Sequence, residues 1–263
     1  MKKSKMKIFI YDEQGGEAVN FQELAHYLKE KGARVEVRGG FFSRFAHSLD
    51  DVAKSLAGMR IFDPTRKIAQ EEPLYGEVKY EQRVLSSKAK AGGVLYDGIA
   101  LQSYMRSLLP RQEVSLEKLH LVITSRMIAT FDEGDRRYHL RAIVLGYPAI
   151  ISTSGIVEAP AKPREFYLQR RLLGEDPLAE AQLKQKFGQK ILDYGDVRMG
   201  DVIKGYALQA LFYQLFGEAF CEDKRCRLYN AHWQEELIEA QFSQPELCPR
   251  HESMLKQWKE KRR

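Results

Sequence analysis

The sequence predicts an α/β fold: a mixed, partly parallel sheet with flanking helices, a long central helix and a small C-terminal zinc-binding subdomain. Three observations carry this. The first hundred residues alternate strand-like and helix-like segments, the pattern of a parallel sheet packed against helices. Residues 201–217, DVIKGYALQALFYQLFG, are apolar on nearly every side and read as a buried helix. All three cysteines, Cys221, Cys226 and Cys248, fall in one short stretch after that helix.

The elements follow in order. Residues 6–11 (MKIFIY) read as a strand, and an amphipathic helix over about 17–31 is closed by Gly32. Residues 33–38 (ARVEVR) alternate as a second strand, ended by Gly39-Gly40, and a further helix is expected at 44–57. The stretch 59–95 carries the breakers Asp63-Pro64 and Pro73, so long surface connections are expected there. A helix over 97–109 has Asp97 as its N-cap and stops at Pro110. The middle is strand-rich: 119–130, a turn at Asp132–Asp135, then 138–145 and 148–153. After a proline-bearing segment, Gly155–Pro163, a helical region spans 164–187. The central helix starts at its cap Asp201 and ends at Gly217, which divides the chain into an α/β domain, 1–217, and a C-terminal subdomain, 218–263.

Composition narrows the class. Hydrophobic residues are 44% and charged residues 30% of 263, a globular balance that excludes general disorder. The net charge of +6 is a mild excess, much of it at the ends: Lys2, Lys3, Lys5 and Lys7, then Lys256, Lys259, Lys261, Arg262 and Arg263. It permits an acidic partner without demanding one. The basic start is followed only by Ile8–Tyr11 before Asp12, too short a run for a signal peptide, and no run is long enough to span a membrane. A soluble, cytoplasmic protein is expected, and three cysteines make no disulfide framework.

The cysteines suggest a metal instead. Cys221-x4-Cys226 is followed, after 21 residues, by Cys248-x2-His251. Two short pairs separated by a loop are how a tetrahedral zinc site is assembled, with thiolate and imidazole donors. His251 closes the second pair locally, while His232, within the loop, is the competing fourth ligand. A four-ligand site of this kind leaves no open position, so the zinc is expected to be structural.

Helix and cysteines together resemble the archaemetzincins. These are zinc metallopeptidases whose motif reads HExxHxxGxxHC, then x4-C-x-M, a loop and a C-x2-C pair. Here Ala210-Leu211-x2-Gln214-x2-Gly217-x2-Phe220-Cys221 is followed by x4-Cys226-x-Leu228 and, later, Cys248-x2-His251. The glycine and the first two cysteines fall in register, over roughly residues 119–254; the earlier part matches only in type. The resemblance implies a zincin-like fold. It also implies that Ala210, Gln214 and Phe220 stand where three zinc-binding histidines would, and Leu211 where the glutamate base would. Helix 201–216 is expected beneath a cleft bordered by the strand at 148–153, with Ala210 and Gln214 facing it. Without those ligands the resemblance implies a pseudopeptidase that keeps one structural zinc and binds a peptide or protein.

Two alternatives stay open. An enzyme with relocated chemistry would use His139, Glu158 and Gln214, polar residues expected near the cleft. A nucleic-acid-binding zinc protein would use the subdomain and basic tail, although no such motif is present. The glycine pairs Gly15-Gly16, Gly39-Gly40 and Gly92-Gly93 form neither GxGxxG nor a P-loop, so no nucleotide site is indicated.

Overall fold

The computed structural model describes residues 6–14, 19–68, 72–87, 92–174 and 176–261. The charges of Lys2, Lys3, Lys5, Arg262 and Arg263 and the pair Gly15-Gly16 lie outside the described residues. Strand β1 (Lys7–Glu13) carries Ile8, Phe9, Ile10 and Tyr11, all buried, because both of its faces are covered. Helix α1 (Phe21–Glu30) starts later than expected, where the Asn20 side chain accepts from the Gln22 and Glu23 N–H groups. Strand β2 (Arg34–Val37) then pairs parallel with β1, Ile8 opposite Val35.

The helix expected at 44–57 is broken in two. Helix α2 (Phe41–Phe45) ends before Ser48, whose hydroxyl caps α3 (Leu49–Ala57) by accepting from Asp51 N–H. The region expected as long connections holds β3 (Arg60–Ile61), a 13-residue helix α4 (Tyr75–Ser87) and β4 (Leu95–Asp97). Asp97 caps α5 (Gly98–Leu108) as expected, accepting from Ile99 and Ala100 N–H.

The strand expected over 119–130 also divides. Strand β5 (Lys118–Thr124) pairs parallel with β1, Ile8 opposite Leu119. Strand β6 (Met127–Asp132) leaves for a second sheet, parallel to β4 and antiparallel to β7 (Arg137–Arg141). The break falls at Ser125-Arg126, where a buried charge network sits. Arg126, 1% exposed, donates from Nη1 to Glu81 Oε2 and to Tyr96 Oη, both at 2.7 Å. Arg60 donates from Nε to Glu81 Oε1 at 3.0 Å, and the Tyr96 hydroxyl donates to the same oxygen at 2.7 Å. Glu81, on α4, is fully buried, so α4 is drawn against the second sheet by two guanidinium groups.

The 138–145 strand splits likewise at Ala142. Strand β8 (Ile143–Val144) returns to the first sheet and pairs antiparallel with β9 (Ala149–Ser152), which lies parallel to β5. The first sheet has the order β2-β1-β5-β9-β8, the second β3-β4-β6-β7, so the expected mixed, partly parallel character is present. The proline-bearing segment opens with a short helix, α6 (Thr153–Glu158), capped by the Ser152 hydroxyl accepting from Gly155 N–H at 2.8 Å. Region 164–187 is two helices, α7 (Arg164–Leu173) and α8 (Pro177–Phe187), separated by Gly174 in a positive-φ conformation and by the proline that starts α8.

Helix α9 (Met199–Phe216) begins two residues before Asp201, whose carboxylate instead takes a 2.8 Å bond from Lys204 Nζ. It ends at Gly217 in the left-handed conformation (φ 72°), as expected of an αL cap. Helices α10 (Gln234–Phe242) and α11 (Pro249–Glu260) complete the chain. The main core joins one face of β1, β5 and β9 to α1 and α9, and Cys226, Leu228, Leu237, Leu255 and Trp258 from beyond Gly217 pack into it. Among the described residues no helix is long and apolar enough to cross a membrane.

Two predictions follow from this packing. A Cβ at Gly155 would lie 2.1 Å from the Arg141 carbonyl oxygen, a backbone atom that has no rotamer to escape by. Gly155→Ala should destabilise the fold by about 3 kcal/mol despite alanine's better helix propensity, which is worth only about 1 kcal/mol. Chemical denaturation measures it, and an unchanged midpoint would refute the close approach. The second concerns His120, fully buried on β5, its Nδ1 2.9 Å from the Tyr11 hydroxyl and its Nε2 3.1 Å from the Glu113 carbonyl. Burial lowers its pKa to about 4, so the folded state keeps the ring neutral. The unfolded chain binds this proton near pH 6.5, so the stabilisation is whole above that pH and is lost as pH falls through 4. The loss amounts to about 3 kcal/mol. Urea denaturation from pH 7 to pH 4 should show a shallower decline for His120→Gln than for the unmodified chain; parallel declines would show that His120 does not set the slope.

Candidate metal centre and the adjoining groove

Cys221, Cys226, Cys248 and His251 bring one donor atom each to within 4.8 Å of one another. The knuckle that carries the first pair is local: Cys221 N–H donates to the Leu228 carbonyl at 3.0 Å and Cys226 N–H to the Asp223 carbonyl at 3.0 Å. The second pair sits on the start of α11, with Cys248 as N-cap, Pro249 in the first helical position and His251 in the first turn.

The spacing of the donors fits zinc. Four ligands about 2.3 Å from one centre stand about 3.8 Å apart along the edges of a tetrahedron. Cys221 Sγ and Cys248 Sγ are 3.8 Å apart, Cys226 Sγ and His251 Nδ1 3.7 Å, and Cys248 Sγ and His251 Nδ1 3.1 Å. Backbone N–H groups of Asp223 and Cys248 point at Cys221 Sγ and Cys226 Sγ, at 3.4 and 3.5 Å, and stabilise the sulfurs as thiolates. Against this, burial pushes the Cys226 thiol up to about 12, so a cation at the centre is what would hold it ionised at neutral pH. The other ring nitrogen, His251 Nε2, is buried without a hydrogen bond and lies 3.7 Å from Glu218 Oε1. Glu218 in turn accepts from Arg250 Nη2 at 2.6 Å. A carboxylate behind a ligating histidine fixes the ring and raises its basicity. The Phe212 ring of α9 meets His251 edge-on at 5.4 Å, so the centre packs directly on the central helix.

His232, the competing ligand, is not part of this cluster. It lines a groove of about 750 Å³ beside α9, and its carbonyl accepts from Ala161 N–H. One wall of the groove is β7 and β8, presenting Arg137, His139 and Arg141; the other is Glu158–Pro160 with Asn230–His232. Tyr206 of α9 and Phe220 complete the lining. His139 and Glu158 therefore share one groove, each with a partner: His139 Nε2 lies 2.9 Å from Asp135, and Glu158 3.5 Å from Lys162 Nζ.

Of the other expected positions only Phe220 reaches the groove. Ala210 and Leu211 are buried in the main core, where an apolar side chain is held by the sheet and not by solvent. Gln214 donates from Nε2 to the Leu116 carbonyl at 2.9 Å and does not line the groove. Phe220 does, 40% exposed. The expected border strand, β9, lies inside its sheet; the edge strand β8 borders the groove instead. Sequence reasoning missed Glu218, Tyr206 and Arg141. Arg137, His139 and Arg141 recur at every second residue, a signal for one strand face; Glu218 stands directly after the helix stop with no spacing rule to single it out.

The centre should bind about one zinc per chain, measured by metal analysis of purified protein. Because metal binding adds its free energy to folding, Cys226→Ser should lose the metal and loosen residues after Gly217 first under limited proteolysis. Glu218→Gln should keep the fold and weaken zinc affinity by about tenfold or more. An unchanged digestion pattern in both Cys226→Ser and chelator-treated protein would mean that the cluster holds no structural metal.

Comparison with solved structures finds archaemetzincin from Methanopyrus kandleri, 14% identical, covering 98% of this chain and 97% of that one, with a TM-score of 0.44. A zinc-dependent peptidase from Methanocorpusculum labreanum (strain Z) is also 14% identical, over 95% of this chain and 99% of that one, with a TM-score of 0.44. Comparison with curated proteins finds no match. The model of the probable metallopeptidase family DUF6775 matches residues 4–258, nearly the whole length, and the chain belongs to that family.

Proposed function

We propose that this member of the family is a zinc-stabilised pseudopeptidase: it holds one structural zinc, has lost the catalytic one, and binds an extended peptide in the groove without cutting it. One observation carries the reading. The side chains at Ala210, Leu211, Gln214 and Phe220 supply neither an imidazole nor a carboxylate, and the first two are sealed in the core. Hydrolysis by a metal needs a zinc with an open position, which lowers the pKa of its bound water, and a base to move the proton. Cys221, Cys226, Cys248 and His251 would supply four ligands, which fills a tetrahedral ion and leaves its role structural. Among the described residues no other group of three or more His, Cys, Asp or Glu side chains converges in this way.

The relocated site has less in its favour. His139 and Glu158 are each engaged by a charged neighbour, and Gln214 is committed to the Leu116 carbonyl. A reducing compartment such as the cytoplasm suits three cysteines kept as thiolate ligands.

Incubation of the purified protein with a mixed peptide library, with and without chelator, should give no chelator-sensitive cleavage. Cleavage that chelator abolishes would place a catalytic metal in this chain and overturn the reading.

A further inference from the structure

We propose that the groove selects acidic peptides, with carboxylates set to meet Arg137 and Arg141. This rests on the peptide-binding reading above and adds the chemistry of the ligand. The wall formed by β7 presents Arg137, His139 and Arg141 at alternate residues, hence on one face of the strand. The carboxylates nearest in sequence are already engaged. Asp132 accepts from the Gly134 and Asp135 N–H groups, at 2.8 and 3.1 Å, and Asp135 pairs with His139. Arg141 spends Nε on the neutral Thr130 hydroxyl at 2.8 Å. Among the described residues no carboxylate lies within 4.0 Å of either guanidinium. On the opposite wall Glu158 is matched by Lys162. Arg137 and Arg141 thus make no short ion pair, although the Asp132 carboxylate is near enough for its charge to be felt by Arg141, and a free guanidinium face binds a carboxylate in a paired, charge-assisted geometry.

The occupant is a peptide because the groove runs along a sheet edge. Strand β8 is the outermost strand of the first sheet, and Ile143 lines the groove. An added strand can use such an edge for its backbone bonds, leaving alternate side chains to be read by the walls. At about 3.3 Å per residue, Arg137 and Arg141 stand about 13 Å apart along β7, the span of four residues in an extended peptide. The sequence read best has acidic side chains four positions apart.

Fluorescence anisotropy on the intact, zinc-loaded protein tests this. The probes are short labelled peptides of one length with glutamate, glutamine or lysine at positions i and i+4. The glutamate peptide should bind at least about tenfold tighter than the glutamine peptide at low salt, and the advantage should shrink as salt rises. Arg137→Gln, at an exposed position, and Arg141→Gln should each remove most of that advantage, while Arg141→Lys keeps part of it. Circular dichroism and thermal melting establish that the variants are folded. Equal binding of the glutamate and glutamine peptides would overturn the acidic preference and leave peptide binding standing. Binding of none of the three would overturn peptide binding, and the preference with it. A single-stranded oligonucleotide that displaces the glutamate peptide at equal charge concentration would overturn the assignment of a peptide.

Discussion

An 18-residue helix that is apolar on almost every face cannot stand in water, and the architecture is the set of elements that keep α9 dry. Its residues pack with β5, β9, α1 and α10 in one continuous core. Toward its C-terminal end the fully buried Phe212 meets His251 of the Cys/His cluster edge-on. Leu228, Leu237, Leu255 and Trp258, from beyond Gly217, reach into the same core. The same demand sets the side chains at two of the helix positions singled out from the sequence. Ala210 and Leu211 satisfy the core, and the polar Gln214 emerges only where the helix reaches the Leu116 carbonyl.

What was legible in the sequence was local. The Asp97 cap, the Gly217 stop and the convergence of Cys221, Cys226, Cys248 and His251 all rest on short spacings whose meaning does not depend on the rest of the chain. The parallel start of the sheet was legible from the order of its elements. The strand breaks were not. Residues 119–130 and 138–145 are strand-like throughout, and nothing local says that each run serves two sheets. The division at Ser125-Arg126 depends on Glu81, forty-five residues away in sequence, and on Tyr96. Helix α4 was hidden for the same reason, since proline breakers precede it and its anchoring residue is a glutamate, which on pattern alone reads as solvent-facing.

The groove shows a related limit. Sequence placed His139, Glu158 and Gln214 near one another, and Gln214 lies elsewhere, because the direction of a side chain near a helix end is set by what accepts its hydrogen bond. Tyr206 was hidden in the opposite sense. Within a helix read as wholly buried, one aromatic residue bordering an opening looks like every other core residue.

The Arg60–Glu81–Arg126 network has a bearing on how such a chain diverges. Replacing Glu81 leaves two buried guanidinium groups without their carboxylate, at a cost of about 3–5 kcal/mol. That is a large share of the about 5–15 kcal/mol that holds a typical domain folded. Stability therefore opposes a change at Glu81 alone, whereas either arginine changes with Glu81 still paired to the other. Ala210 and Leu211 are as deeply buried, so an ionisable side chain placed at either would meet the same desolvation with no partner to answer it.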